Sequence, residues 1–138
     1  MKISTITRYG LRAMVELARN GKEYVSLKEI ARRENISIRY LENIMVRLVS
    51  AGLVLSSRGK NGGFKLVAPP EKINVFNIVN ALEETLSLVF CVDNPHLCER
   101  KDSCSTYPLW KGLKKVIERF LKSFTLKDLV ERNLKEVL

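Results

Sequence analysis

The sequence lacks the features that mark several large classes of protein. No segment is apolar over the length needed to cross a bilayer. The chain has neither a dinucleotide-binding glycine fingerprint nor the Gly, Lys and Ser/Thr spacing of a phosphate-cradling loop. Its single histidine, His96, has no orienting partner or oxyanion motif near it in the sequence, which argues against a cysteine–histidine hydrolase. We therefore expect a soluble chain that has no membrane partner and is not an enzyme.

Cysteine is scarce, and its placement is informative. Cys91, Cys98 and Cys104 are the only cysteines, and all lie in the polar stretch CVDNPHLCERKDSC. An odd cysteine count, in a chain that begins without an apolar secretion signal, predicts reduced thiols in the cytoplasm rather than a disulfide framework. Core cysteines have no reason to gather in one loop, whereas thiolate ligands must converge on one point. The stretch therefore predicts a site for a metal or a cluster.

Three chemistries are open to these thiols. Soft thiolates at loose spacing in a flexible loop favour an iron–sulfur cluster. Zinc could use the same cysteines together with His96, although the paired close spacings of structural zinc sites are absent. Without a cluster, the cations Arg100 and Lys101 could favour thiolates that form a reversible disulfide, or the chain could answer to a protein partner.

Positive charge is concentrated in the N-terminal half. Residues 1–65 contain 13 lysines and arginines against 5 acidic residues, whereas the rest of the chain contains 11 against 10. A concentrated basic surface attracts polyanions, and the interleaving of basic, acidic and apolar residues suits nucleic acid better than a membrane surface. Aromatic residues that could stack on single-stranded RNA are few in this half, which favours double-stranded DNA. A module that holds RNA or a protein is the alternative.

Helical periodicity and turn residues predict a winged helix-turn-helix. A first amphipathic helix spans about residues 5–20. Ser26 is placed to cap a second helix with Glu29 as its capping-box partner, and Ser37 to cap a third helix whose apolar stripe begins at Ile38. Two β-prone segments flank the sequence RGKNGG, as a hairpin wing requires. The fold class is mainly α with a small β-hairpin wing.

The chain divides into three parts in this interpretation. Residues 1–86 form the winged helix-turn-helix DNA-binding domain, residues 87–104 a cysteine-bearing cluster loop, and residues 105–138 the dimerisation helices. A long helix is expected from Cys104 onward, and Thr125 is placed to cap a short last helix.

The third helix and the wing carry the candidate DNA-binding residues. With the apolar stripe turned inward, polar side chains suited to base edges and phosphates face outward; a merely solvated helix face is the alternative. Glycines at the wing tip let its cations approach a phosphate backbone, and an arginine gains from the potential of a narrow minor groove. The candidates are Ser37, Arg39, Tyr40, Glu42, Asn43, Arg47, Arg58, Gly59 and Lys60.

The long C-terminal helix has more apolar side chains than a small winged domain can cover. Its aromatic residues are typical of a buried interface, so it predicts a symmetric homodimer; packing onto its own chain is the alternative. A dimer would place two third helices about one DNA turn apart, which predicts a pseudo-palindromic operator. The candidate interface residues are Leu109, Trp110, Leu113, Val116, Ile117, Phe120 and Phe124.

Several motifs together point to a known family. They are TRYGLRAMVELA at the start, ISIRYLENIMVRLVSAGLV, the wing SSRGKNGGFKL, three cysteines in one loop, and YPLW just after the third cysteine. In these motifs the chain resembles the bacterial winged-helix regulators typified by IscR, the iron–sulfur cluster regulator, and NsrR, the nitric-oxide sensor. The resemblance implies a homodimer on palindromic operators, with the third helix in the major groove and Arg58 in the minor groove. In the family, the glutamate at the position of Glu42 helps to distinguish two operator classes.

The resemblance implies a cluster held by the three cysteines, and it leaves the fourth ligand open. The first interval is C-x6-C, longer than in IscR-like members. IscR proteins carry a histidine ligand three residues after the third cysteine, where this chain has Tyr107, and the aspartate used by some NsrR proteins corresponds to Arg8. His96 is the first candidate because it lies inside the loop. The others are Asp93, Glu99, Asp102, Tyr107, a group of the partner chain and an exogenous thiol.

The expected function combines these parts. We expect a homodimeric transcriptional regulator that senses iron–sulfur, redox or nitric-oxide status through a 2Fe–2S cluster, with 4Fe–4S as an open alternative. Changes in the cluster would alter how the winged domains sit on DNA.

Overall fold

The computed structural model describes residues 2–133. Three helices open the chain: α1 (Thr5–Arg19), α2 (Leu27–Glu34) and α3 (Ile38–Ser50). Each begins after a serine, Ser4, Ser26 or Ser37, whose hydroxyl accepts a hydrogen bond from the backbone N–H three residues later. Asn35 ends α2 with a left-handed φ of 52°, which turns the chain into α3 within a few residues. The predicted helix-turn-helix is therefore present.

Two details of these helices differ from the prediction. Ser26 accepts the Glu29 N–H at 3.1 Å, but the Glu29 carboxylate binds Arg32 at 2.7 Å and Arg33 at 2.8 Å instead of completing a capping box. Hydrogen bonds from Arg32 and then Arg33 lower the pKa of Glu29 to about 2. Ile38 is 47% exposed rather than buried, because it lies at the edge of the buried stripe in the first turn of α3.

The wing is a two-stranded antiparallel hairpin. Strand β1 (Val54–Ser57) pairs with β2 (Gly63–Leu66). Phe64 of β2 also exchanges two backbone hydrogen bonds of 2.8 Å with Val25, which ties the wing to the start of α2. Gly63 has φ of +144°, and a Cβ there would lie 2.2 Å from the Val25 carbonyl oxygen, so only glycine fits. The hairpin is thus fixed at its base.

One main core joins the three opening helices to the fourth helix, α4 (Val75–Leu82). Side chains without any exposed surface fill it: Met14, Ile30, Leu41, Ile44, Met45, Leu48, Ile78 and Leu126. The predicted fold class, a mainly α-helical winged helix-turn-helix with a small hairpin wing, is confirmed.

The last described helix, α7 (Leu126–Val130), packs into the main core. Thr125 caps it through a reciprocal capping box with Asp128, as the sequence indicated for this position. The Leu126 N–H donates to the Ile73 carbonyl at 2.8 Å, and its side chain lies in the main core. Helix α7 therefore packs with the opening helices, whereas the sequence groups it with the helices that follow Cys104. We call residues 4–86 with α7 the winged unit.

The remaining helices lie between α4 and α7 in the chain. The cysteine segment, residues 87–104, contains a short helix α5 (Phe90–Asp93) and a single 3₁₀ turn, so it is more ordered than the predicted loop. The long helix α6 (Tyr107–Lys122) begins three residues later than expected, and Pro108 in its first turn suits a helix start. None of the helices within residues 2–133 combines the length and apolarity that crossing a bilayer requires.

Candidate nucleic-acid interface and cysteine segment

The outer face of α3 presents a row of polar side chains. Arg39, Glu42, Asn43 and Arg47 are all exposed, and the apolar stripe on the opposite side of the helix is buried. Ser37 is exposed at the N-cap, where its hydroxyl also accepts a hydrogen bond from the first turn. Side chains of this kind can donate to guanine, bind adenine bidentately and contact phosphates. The chemistry of the face suits a DNA groove.

Tyr40 has a different environment from its neighbours on α3. It is half-buried, and its ring meets that of Tyr9 edge to face, with centroids 5.6 Å apart and planes at 82°. The guanidinium carbon of Arg12 lies 5.2 Å from the centroid of the Tyr9 ring, and Arg12 also donates a hydrogen bond to Glu34 of α2. Tyr40 therefore anchors α3 to α1, and only part of it is available to a ligand.

Ion pairs divide the N-terminal arginines into two groups. Four of them bind glutamates of α1 and α2: Arg12 with Glu34, Arg19 with Glu16, and Arg32 and Arg33 with Glu29. By contrast, Arg39, Arg58 and Lys60 form no ion pair with any residue in the described range 2–133. Arg47 donates to the Leu82 carbonyl oxygen at 3.4 Å. The cations left uncompensated include those of the predicted DNA surface.

The wing tip keeps its cations in solvent. Arg58, Gly59 and Lys60 are all exposed between the two strands. Gly59 has φ of +104°, a backbone conformation that favours glycine. The arginine and the lysine therefore flank a glycine, which has no side chain to obstruct a close approach to a phosphate backbone.

The three cysteines occupy three different local structures. Cys91 lies in α5, Cys98 follows the turn Pro95–Leu97, and Cys104 precedes α6. All three are free and partly exposed. The chemistry of three thiols fits an iron–sulfur cluster or a soft metal. Nevertheless, the structure gathers no set of three or more His, Cys, Asp or Glu side chains of residues 2–133 into a metal-binding arrangement.

Cys104 is the thiol whose ionisation the structure favours. Its Sγ lies 3.3 Å from the Thr106 hydroxyl. That hydroxyl lowers the pKa of Cys104, with help from the backbone N–H groups of Thr106 and Tyr107 and from the charge of Arg100. A thiolate is the form that binds metals and that reacts with oxidants.

Asp93 is engaged elsewhere and is a poor fourth ligand. Its carboxylate accepts hydrogen bonds from the Ser87 hydroxyl at 2.5 Å, from the Thr85 hydroxyl, and from Lys114 of α6 at 2.9 Å. Burial acts to raise the pKa of Asp93, but the bonds from Lys114, Ser87 and Thr85 outweigh it and lower the pKa to about 2. We call these four residues the Asp93 hub. It joins the cysteine segment to the chain after α4 and to α6.

The other candidate ligands remain at the surface. His96 and Glu99 are exposed, and Tyr107 is half-buried at the start of α6. The side chain of Asp102 is 96% exposed and meets Lys101 at 3.9 Å. None of these residues is assigned as a fourth ligand by its contacts.

Helix α6 carries two apolar stripes. Leu109, Val116 and Phe120 are 61%, 53% and 44% exposed, and Leu113 falls on the same side at helical spacing. The other stripe faces the chain itself. Phe124 is only 5% exposed in a small cluster with Val75, Val79 and Leu86, and Ile117 packs against that cluster.

These positions divide the predicted interface set into a packed part and an exposed part. Ile117 of α6 and Phe124, just beyond its end, serve the chain's own packing, because both lie in the cluster formed with α4. Trp110 is half-buried. The exposed stripe, Leu109, Leu113, Val116 and Phe120, is the part of the predicted set that stays open to a partner.

Comparisons with known proteins agree with this architecture. The Rrf2 family, described as "Iron-dependent Transcriptional regulator", matches residues 3–132. The chain belongs to the Rrf2 family. Protein rrf2 of Nitratidesulfovibrio vulgaris is 40% identical over 131 residues, which cover 94% of this chain and 87% of that protein.

Solved structures of Rrf2-like regulators share the fold. CymR, the global cysteine regulator of B. subtilis, superposes with a TM-score of 0.79 at 38% identity, covering 96% of this chain and 98% of that chain. The T. potens IscR structure gives a TM-score of 0.73 at 37% identity and covers 100% of this chain and 92% of that chain. The predicted IscR-like family is thereby confirmed, and so is the prediction of a DNA-binding transcriptional regulator rather than an enzyme.

The Asp93 hub is a feature of the cysteine segment that the sequence did not reveal. The sequence indicates Asp93 only as a candidate metal ligand, because its partners Thr85, Ser87 and Lys114 have no spacing that marks them as a set. Their convergence depends on how α6 returns against the cysteine segment. The Tyr9 and Tyr40 contact was missed for the same reason.

Proposed function

We propose that this Rrf2 protein binds pseudo-palindromic double-stranded operators as a homodimer, with α3 in the major groove and the wing tip in the minor groove. The observation that carries the proposal is the set of unpaired cations, Arg39, Arg58 and Lys60, on the two elements that a winged helix presents to DNA. By contrast, Arg12 and Arg19 of α1 and Arg32 of α2 are paired with glutamates. When unpaired cations of a protein bind phosphates, they displace the counterions condensed on the DNA. The release of these counterions contributes much of the affinity for DNA.

The exposed stripe of α6 supports the dimer. Leu109, Val116 and Phe120 would each leave more than two-fifths of their surface in water in a monomer. Their spacing matches one side of a helix, so a second copy related by two-fold symmetry could cover all of them at once. Two winged units held by α6 would reach two half-sites of one operator.

We further propose that Cys91, Cys98 and Cys104 hold an iron–sulfur cluster, a 2Fe–2S cluster being the first expectation and a 4Fe–4S cluster the alternative. Such a cluster supplies a centre that responds to redox state, oxygen or nitric oxide. The fourth ligand stays open, with His96 as the first candidate in the segment. Reduced thiols and a DNA partner both fit a cytoplasmic protein.

The Asp93 hub supports a route from the cysteine segment to the DNA surface. Rearrangement of residues 87–104 around a ligand would shift Asp93, which is bound to Lys114 of α6 at 2.9 Å. A shift of α6 changes the relative orientation of the two winged units in a dimer. A ligand bound to the segment would then favour one relative orientation of the two recognition helices, without adding contacts to bases.

A second candidate is a winged-helix regulator without a cluster, which responds through zinc, thiol oxidation or a protein partner. The lowered pKa of Cys104 favours thiol chemistry in particular, because a thiolate reacts with oxidants and zinc more readily than a thiol does.

Two experiments test these proposals separately. A gel-shift assay with duplex DNA of mixed sequence, competed by RNA, should show tighter binding to the duplex; preference for RNA would overturn the DNA proposal. Anaerobic purification followed by visible absorbance, iron and sulfide analysis should show iron and sulfide bound together. Protein with zinc alone, or with no metal, would favour the second candidate.

A further inference from the structure

Val46 is an apolar side chain in the middle of the outer face of α3. It is 64% exposed, more than Ile38, the other exposed large apolar residue of this helix. Arg39, Asn43 and Val46 follow one another at spacings of four and three residues, so they form one stripe along the helix. This stripe lies opposite the buried side chains that face the core.

Single exposed apolar residues are common on proteins and need no explanation by themselves. The position of Val46 matters because of what surrounds it. Arg39 and Asn43 are the types of side chain that bind guanine and adenine bidentately, and both are exposed. In the major groove, the 5-methyl group of thymine is the apolar group that a base pair presents. A valine between such donors is complementary to that methyl group.

We propose that Val46 is a specificity-determining residue that contacts the 5-methyl group of one thymine in each operator half-site. The inference rests on the proposed placement of α3 in the major groove. Ile38 is a weaker candidate, since it lies at the edge of the buried stripe rather than opposite it. Arg39 and Asn43 would fix the register in which Val46 meets its base.

The experiment pairs a protein change with a change of one chemical group in the DNA. A preferred duplex is first selected from a randomised library with the wild-type protein. Each thymine in one half-site is then replaced in turn by deoxyuridine, which removes only the methyl group. Binding is measured for the wild type, for Val46→Ala, and for Val67→Ala. Val67 is a matched control because it is 46% exposed outside α3 and the wing strands.

We expect deoxyuridine at one thymine position to weaken wild-type binding by about fourfold, the effect of removing one buried methyl-sized group. Val46→Ala should bind the thymine and deoxyuridine duplexes equally at that position, whereas Val67→Ala should retain the wild-type difference. All three proteins should have the same thermal midpoint, since both valines are exposed.

Two results would overturn the inference while leaving DNA binding intact. In one, no thymine position is sensitive to loss of its methyl group in the wild type. In the other, Val46→Ala keeps the wild-type sensitivity at every position. If the selection enriched no duplex at all, the proposed function itself would fail, and the inference would fail with it.

Discussion

The winged unit buries its apolar side chains more completely than the region formed by the cysteine segment and α6. In the winged unit, side chains such as Met14, Ile44 and Met45 have no exposed surface. In residues 87–122, by contrast, every residue remains at least partly exposed, and Phe90, Leu97 and Leu109 are each at least 60% exposed. The first region completes its own core, whereas the second leaves apolar surface open.

This difference suggests that the winged unit recognises DNA and that the second region changes conformation. A closed core holds α3 and the wing in a fixed relation, which recognition of DNA requires. A region with few buried contacts changes conformation at low cost, as the elements that move in regulation do. In the Asp93 hub, the hydrogen bond from Thr85 crosses between the two regions, and the bonds from Ser87 and Lys114 hold Asp93 within the second region. A change in one region could reach the other through this residue.

The largest expected contrast is in stability. Leu41→Ala removes a side chain with no exposed surface and should lower the free energy of unfolding by about 2–5 kcal/mol. Leu97→Ala removes the same atoms from a side chain that is 60% exposed, and it should change the free energy by less than about 0.5 kcal/mol. Urea unfolding of both variants measures the contrast. Equal losses would show that the cysteine segment has a tight core of its own.

The next contrast concerns the exposed stripe of α6. Val116→Asp places a charge in the proposed dimer interface and should weaken dimerisation by about 3 kcal/mol or more. Lys115→Asp changes the adjacent exposed residue, which points about 100° away from Val116 around the helix, and should leave the dimer intact. Sedimentation velocity over a range of concentrations separates the two variants. A dimer that tolerates Val116→Asp would move the interface away from this stripe.

A smaller effect distinguishes free from paired arginines within the winged unit. Arg58→Ala should weaken operator binding and reduce the slope of log affinity against log salt by about 1. Arg19→Ala removes an arginine that already binds Glu16 at 2.9 Å, so its salt slope should match that of the wild type. Fluorescence anisotropy titrations at several salt concentrations provide the slopes. An unchanged slope for Arg58→Ala would show that the wing arginine does not contact a DNA phosphate.

The smallest effect tests the bond by which the Asp93 hub holds the cysteine segment against α6. Asp93→Asn weakens the hydrogen bond with Lys114, whose side chain is 29% exposed, and should cost about 1 kcal/mol. We expect faster amide hydrogen exchange in α5. Asp102→Asn changes a carboxylate that is 96% exposed and serves as the control. If α5 exchanged at the same rate in both variants, the hub would not hold the cysteine segment.

Local signals in the sequence predicted the winged unit well. Ser26, Ser37 and Thr125 cap the helices for which they were proposed, and the RGKNGG segment forms the wing tip. These features depend on residues close together in the chain. The predicted capping box at Glu29 is wrong because Arg32 and Arg33, one helical turn away, compete for its carboxylate. The packing of Phe124 against α4 depends on residues far apart in the sequence, which local signals do not reveal.

The candidate site was predicted unevenly for the same physical reason. Periodicity identified which side of α3 faces outward, because the buried stripe of a helix is visible in its sequence. The pairing of Arg12 with Glu34 and the convergence of Thr85, Ser87 and Lys114 on Asp93 depend on tertiary contacts. The sequence also does not specify whether the three thiols meet, since that depends on the conformation of residues 87–104.

The most direct test of the central claim measures how the cysteine segment affects DNA binding. Wild-type protein and the triple variant Cys91→Ala/Cys98→Ala/Cys104→Ala are prepared without oxygen, and their affinities for the selected operator are compared before and after exposure to oxidant. The account predicts that wild-type affinity changes by about fivefold or more on exposure, in the range typical of allosteric coupling, and that the affinity of the triple variant does not change. Equal affinities for both proteins under both conditions would contradict it.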